Sequence, residues 1–166
     1  MVTRVVLVGP MGAGKSTVGA LLADAWGVTA RDTDADIEAL EGRTISDIFV
    51  DSGEAHFRDL ERKAVAEALA THDGVLSLGG GAVLDPATRD LLRGHRVVFL
   101  KVGLAEAVKR VGLGSSRPLL LGNVRARIKA LLDERTPIYE SVATLTVDTD
   151  GRPPEDVVAE ISEALP

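Results

Sequence analysis

Val5-Val6-Leu7-Val8-Gly9-Pro10-Met11-Gly12-Ala13-Gly14-Lys15-Ser16-Thr17 is the stretch on which the reading of this chain turns. Its first four residues are β-branched or aliphatic with no polar alternation, the mark of a strand buried on both faces. From Gly9 onward it satisfies G-x-x-x-x-G-K-[ST], set between that strand and a helix from Ser16 to Trp26 that Gly27 stops. The glycines let successive backbone N–H groups close around an anion, and the helix N-terminus adds its partial positive charge. Gly12, Ala13, Gly14, Lys15, Ser16 and Thr17 are therefore expected to hold a nucleoside triphosphate, with Lys15 reaching the outer phosphates and the Ser16 hydroxyl ligating Mg²⁺. A chance match in a chain of this length is on the order of 1%.

Outward from this loop, strands read over Val75 to Leu78, Val97 to Leu100 and Leu145 to Val147, with a short extended piece from Val28 into Asp32. Helices read over Ile37 to Leu40, Ile45 to Val50, Gly53 to Thr71, Pro86 to Leu92, Ala105 to Arg110, about Arg125 to Glu134, and from Pro154 to the end. Strands alternating with helices imply an α/β domain of three layers, a parallel sheet covered on both sides. No repeat, low-complexity tract or composition shift divides residues 1–166, so one domain is expected.

Composition narrows the function. There are 19 Lys and Arg against 25 Asp and Glu, a formal charge of −6, with no basic run and only five aromatics. A nucleic-acid binder would carry a basic stripe and stacking platforms, so that class is set aside. The absence of cysteine excludes disulfides, thiolate metal sites and cysteine nucleophiles, and suits a reducing cytoplasm. No apolar run approaches the length of a membrane helix. Evenly mixed charge and the lack of a long apolar edge are those of a monomer.

The second strand of a generic phosphate-loop enzyme ends in an aspartate, whereas Val75-Leu76-Ser77-Leu78 runs into Gly79-Gly80-Gly81. The carboxylates sit instead in Asp32-Thr33-Asp34-Ala35-Asp36, at the end of another strand and so at the ligand-binding end of a parallel sheet. If the strand continues through them, Asp32 and Asp34 point the same way; alternatively Asp34 or Asp36 caps the helix that follows. Glu54, Arg58, Glu61 and Arg62 share a helical face, which alone reads equally as a solvated salt-bridge ladder. Arg117 follows the Gly/Ser-rich Gly112-Leu113-Gly114-Ser115-Ser116, as a catalytic arginine on a lid would, or as any loop arginine would. Arg135 falls where a helix is expected to end, where a cation also serves the helix dipole. Spacing identifies none of these three arginines.

The set G-P-M-G-A-G-K-S-T, D-T-D, F-R-x-x-E (Phe57 to Glu61), G-G-G-A-V (Gly79 to Val83), R-P-L-L (Arg117 to Leu120) and R-x-P-x-Y (Arg135 to Tyr139), in this order, resembles the shikimate kinases over nearly the whole chain. The resemblance implies a fold similar to nucleoside monophosphate kinases, with a five-stranded parallel sheet in the order 2-3-1-4-5. It implies transfer of the ATP γ-phosphoryl group to the 3-hydroxyl of shikimate, a step toward chorismate and the aromatic amino acids. By position, it makes Asp34 the holder of the reacting hydroxyl and makes Arg58 and Arg135 the clamp on the substrate carboxylate. Gly80 and Gly81 would offer N–H groups, and Phe49 and Phe57 would wall the ring pocket, in a shikimate-binding region of about 33–61. Arg117 would move onto the phosphates with a lid at about 112–124, Asp32 would hold Mg²⁺ through water, and Arg110 and Pro154 would sandwich adenine. The competing readings are a gluconate or nucleoside monophosphate kinase on the same scaffold, and a nucleotide-binding regulatory module. The second would tolerate loss of Asp34 or Arg117, and both are present.

Overall fold

A computed structural model describes residues 3–112 and 121–165. The strands are β1 (Val5–Val8), β2 (Ala30–Asp32), β3 (Val75–Ser77), β4 (Val97–Lys101) and β5 (Leu145–Asp148). All pair in parallel in the order β2-β3-β1-β4-β5, the order expected. The helices are α1 (Lys15–Trp26), α2 (Thr33–Glu41), α3 (Ile45–Ser52), α4 (Glu54–Thr71), α5 (Pro86–Leu92), α6 (Leu104–Gly112), α7 (Leu121–Val142) and α8 (Pro154–Ala164), with a 3₁₀ turn at Ala82–Leu84.

Strand β1 shows why its sequence has no polar alternation. Val5 and Leu7 enter a core with Val18 and Leu22 of α1 and Val157 and Ile161 of α8. Val6 and Val8 enter another, with Val65 and Ala68 of α4 and Tyr139 of α7. Each face of the sheet has its own helices, so every β1 residue is buried. A third, small cluster of Ile37, Ile48 and Phe57 joins α2, α3 and α4 apart from the sheet cores.

Two local expectations fail. The extended piece ends at Asp32 as expected, but α2 begins at Thr33 rather than Ile37, so Asp34 neither continues the strand nor caps the helix. Asp32 itself is the N-cap, its Oδ1 accepting from the N–H of Asp34 at 2.8 Å and of Ala35 at 3.4 Å. That satisfies first-turn donors that would otherwise be orphaned. Asp34 and Asp36 therefore lie inside the first turn, and neither is the cap. The second failure is α7, which does not stop near Glu134 but runs to Val142 with Pro137 inside it. Proline removes one intrahelical bond there. Burial of Tyr139 and packing of Ile138 and Val142 against the sheet core hold the helix through it. Arg135 is thus a mid-helix residue, and the helix-dipole explanation for it falls.

Candidate active site

The carboxyl ends of β1, β2 and β3 converge on one place. Gly14, at φ +88°, caps α1 with no side-chain hydrogen bond, and no acidic residue occupies the first turn. The turn's N–H groups are left facing outward for an anion. Gly12, Gly14, Lys15, Ser16 and Thr17 line a cavity of about 330 Å³ with Asp32, Asp34, Gly79 and Gly80. Ala13 is buried beneath the loop, its N–H closing the turn onto the Pro10 carbonyl at 3.2 Å. Lys15 Nζ donates to the carbonyls of Gly9 at 2.6 Å and Pro10 at 3.0 Å, which leaves its third proton for a ligand. Burial lowers its pKa to about 8, although the carboxylates of Asp34 and Asp32 oppose the shift.

A second cavity, about 560 Å³, shares Met11, Asp34, Gly79 and Gly80 with the first as a common wall. Phe49 and Phe57 form one side, their rings 4.9 Å apart and inclined by 35°. Arg58, Glu61 and Arg135 face them, with Gly79, Gly80 and Gly81 as the floor. Asp34 Oδ1 and Arg135 Nε are buried without hydrogen-bond partners, an acceptor and a donor that a polar substrate would satisfy. Burial raises the Asp34 pKa to about 6, helped by the nearby carboxylates of Asp32 and Glu61.

The salt-bridge ladder on α4 is real but divided. Arg58 donates to Glu61 at 2.7 Å and lies 3.5 Å from Glu54. Arg62 turns away to Asp85 at 2.5 Å and Asp59 at 3.2 Å. Only the Arg58 branch belongs to the cavity, since Glu61 is 4% exposed and burial raises its pKa against the pull of Arg58. The glycine floor makes room for these groups. A Cβ on Gly81 would lie 2.6 Å from both terminal nitrogens of Arg58, and one on Gly79 would lie 2.7 Å from Asp34 Oδ1 and 3.0 Å from Glu61 Oε2.

On the other flank of the loop, Arg110 and Pro154 line a hollow of about 240 Å³ with Gly12, Ala13, Gly14 and Thr17. Arg110 is tied to the Gly12 carbonyl at 2.7 Å, the Thr149 carbonyl at 3.3 Å and Glu106 at 3.2 Å. A groove of about 650 Å³ between α5 and the segments leading into β4 and β5 holds none of the expected site residues. Arg117 and the centre of the expected lid, 113–120, lie outside the described residues.

Ser16 and Asp32 line the same phosphate cavity, and with the Asp32 Oδ1 occupied by its cap this is a sparse donor set. Among the described residues no three His, Cys, Asp or Glu side chains cluster as a metal cage. One hydroxyl and one carboxylate oxygen fit Mg²⁺, which keeps its waters and takes phosphate oxygens rather than an all-protein shell.

The family model for shikimate kinase matches residues 11–166. A shikimate kinase of Thermobifida fusca is 60% identical over 97% of this chain and 94% of its own length. The chain belongs to the shikimate kinase family. A solved shikimate kinase from Acinetobacter baumannii, in complex with shikimate, superposes with a TM-score of 0.90 at 35% identity, covering 99% of this chain and 93% of that one. A gluconokinase from Sinorhizobium meliloti, at 24% identity and a TM-score of 0.61, covers 98% of this chain and 91% of its own, and shares the fold alone. In this shikimate kinase the phosphate cavity and its Phe-walled neighbour gather most of the expected site residues. Sequence reasoning assigned no role to several other residues that line them, among them Glu61, Gly79, Met11 and a third arginine, Arg127. Glu61 stands three residues after Arg58 and Gly79 opens the glycine triplet, so both were visible as neighbours of assigned positions. Nothing in the pattern singles out Met11.

Proposed function

We propose that this chain transfers the γ-phosphoryl group of ATP to the 3-hydroxyl of shikimate, releasing shikimate 3-phosphate and ADP. The observation that carries the reading is the pair of cavities sharing Asp34 and Gly79 as a wall, one beneath the phosphate loop and one bearing Arg58 and Arg135. Bound ATP would set its phosphates on the first-turn N–H groups of α1 and on Lys15, with its base between Arg110 and Pro154. Arg58 and Arg135 would fork the shikimate carboxylate, a geometry guanidinium supplies and ammonium does not. The ring would lie against Phe49 and Phe57, and the N–H groups of Gly80 and Gly81, which donate to nothing among the described residues, would hold its polar edge.

The 3-hydroxyl would then stand at the common wall, against Asp34. Its oxygen bonds to the γ-phosphorus as the bond to the β,γ-bridging oxygen breaks, and its proton passes to the Asp34 carboxylate. With a pKa of about 6, Asp34 is mostly ionised at neutral pH and can accept it. The loose transition state asks for alignment more than base strength, which suits a carboxylate held in a fixed first turn. Mg²⁺, held by Ser16 and through water by Asp32, would neutralise charge on the phosphate oxygens. Arg117 is assigned to the phosphates on its motif.

Every assigned residue comes from a single chain, in keeping with a monomer, and a cytoplasmic setting where ATP is supplied completes the reading. ADP formation measured with shikimate, gluconate and nucleoside monophosphates tests it. Shikimate alone is expected to support turnover; turnover with gluconate or a nucleotide and none with shikimate overturns it.

A further inference from the structure

Tyr139 is the chain's one tyrosine, is fully buried, and sits beneath the acceptor cavity without lining it. Its ring packs on Phe99 with centroids 5.0 Å apart, deep in the core below the sheet's carboxyl end. Its hydroxyl leaves that core at one point and donates to the Gly80 carbonyl at 2.5 Å. One turn earlier on α7, at i−4 and so on the same face, stands Arg135. Burial raises the phenol's pKa against the opposing charges of Arg135 and Arg58, so it stays a neutral donor.

We propose that Tyr139 is a positioning residue of the acceptor site, donating to the Gly80 carbonyl so that the glycine floor is held in one register with Arg135, one turn away on the same face of α7. The peptide plane gives that contact its force. The Gly80–Gly81 bond is trans and planar, so its C=O and N–H point in opposite directions. Fixing the Gly80 carbonyl down onto Tyr139 aims the Gly81 N–H away from the core. No side chain on Gly80 or Gly81 restrains that plane, and glycine loses more freedom on ordering than any other residue. On the arginine side, Nε of Arg135 is buried without a partner, and its Nη1 lies 3.6 Å from where a Cβ on Gly80 would stand, so the floor that Tyr139 fixes adjoins the guanidinium. A hydroxyl bonded to a backbone carbonyl in a fully buried position is not replaced by water.

This inference rests on the reading of Arg135 and the glycine floor as the shikimate-binding groups, and the experiment separates the two. Shikimate and ATP KM are measured for Tyr139→Phe, Arg135→Lys, the double variant, and Phe99→Leu. Arg135→Lys is expected to raise the shikimate KM; if it does not, the underlying reading fails. Tyr139→Phe keeps the ring and removes only the hydroxyl. It is expected to raise the shikimate KM about five- to fifty-fold while the ATP KM stays within about twofold. The double variant should lie within about twofold of Arg135→Lys alone, because the two act as one unit. Phe99→Leu loosens the same ring packing but spares the hydroxyl, and should leave the shikimate KM within about twofold. An unchanged shikimate KM in Tyr139→Phe, a parallel rise for ATP, multiplying effects in the double variant, or an equal rise in Phe99→Leu each overturns the inference. Should Tyr139→Phe not fold, 3-fluorotyrosine incorporated throughout labels only this position. Its ¹⁹F resonance should move when shikimate is added and not when ADP is added; no movement with shikimate, or equal movement with both, overturns it.

Discussion

Asp34 carries opposed demands on stability and chemistry. Its folded pKa, about 6, lies above the value of 3.8 for a free side chain. The folded state therefore holds the proton more tightly, and stability falls as pH rises from about 4 to about 6, the loss being complete above that window. Discounted for partial exposure, the cost is about 1–2 kcal/mol. Asp34→Asn is expected to raise Tm by roughly 2–6 °C at pH 8 in EDTA and to leave it unchanged near pH 3.5, as thermal scans at the two pH values will read. The same variant keeps an acceptor oxygen but cannot take a proton, so kcat should fall at least about 100-fold while ADP still binds. Gly79 sets the companion test. Gly79→Ala would drive a Cβ between the Asp34 and Glu61 carboxylates. A displacement of the order of 1 Å can cost about 100-fold, so kcat should drop with ADP affinity retained in calorimetry. At this scale charged motifs made the sequence legible among the described residues. Asp32, Asp34, Arg58 and Arg135 do line the two adjoining cavities, but the sequence leaves the turn between Asp32 and Asp34 open between a strand and a cap at Asp34 or Asp36, and it is neither. An aspartate that caps with its own side chain looks, in sequence, like one that continues a strand. Gly79 was passed over because its use lies in what it leaves room for.

At the scale of elements, the strands were legible because burial on both faces writes itself as an unbroken apolar run. Helix α7 was not, since Pro137 argues locally for an end and only the core packing of Tyr139 and its neighbours outweighs it. That continuation matters for function, because it keeps Arg135 and Tyr139 on one helical face below the acceptor cavity. The small cluster of Ile37, Ile48 and Phe57 does comparable work for α4, which presents Arg58 and Glu61. Ile48 is fully buried there. Ile48→Ala should cost about 2–5 kcal/mol, read as a lower denaturant midpoint. Because the cluster stands apart from the sheet cores, the shikimate KM should rise several-fold while ADP affinity, set by α1 and the phosphate loop, stays within about twofold. Parallel losses in both would mean that α2–α4 and the sheet act as one unit.

Across the whole molecule, a parallel sheet of order β2-β3-β1-β4-β5 brings the loop after β1, the cap after β2 and the glycines after β3 side by side. On the proposed reading, the carboxyl ends of three adjacent strands supply phosphate binding, a proton acceptor and a floor for the acceptor molecule. On the same reading, a protein of net charge −6 gathers guanidinium groups where anions are to be held, at Arg58 and Arg135 on one side and Arg110 on the other. The order and the two-faced core could be read from the chain; the division of the cleft into two cavities with a shared wall could not, because it depends on where Met11, Asp34, Gly79 and Gly80 come together in space. Transfer across that wall runs, on the proposed reading, from ATP onto one hydroxyl of shikimate. Phosphorus and proton NMR of the product formed by the purified protein with ATP, Mg²⁺ and shikimate tests this most directly. A new phosphomonoester resonance coupled to the proton on carbon 3, formed in step with ADP, is the predicted result. ADP formed with free phosphate alone, or a phosphoester at another position, would contradict it.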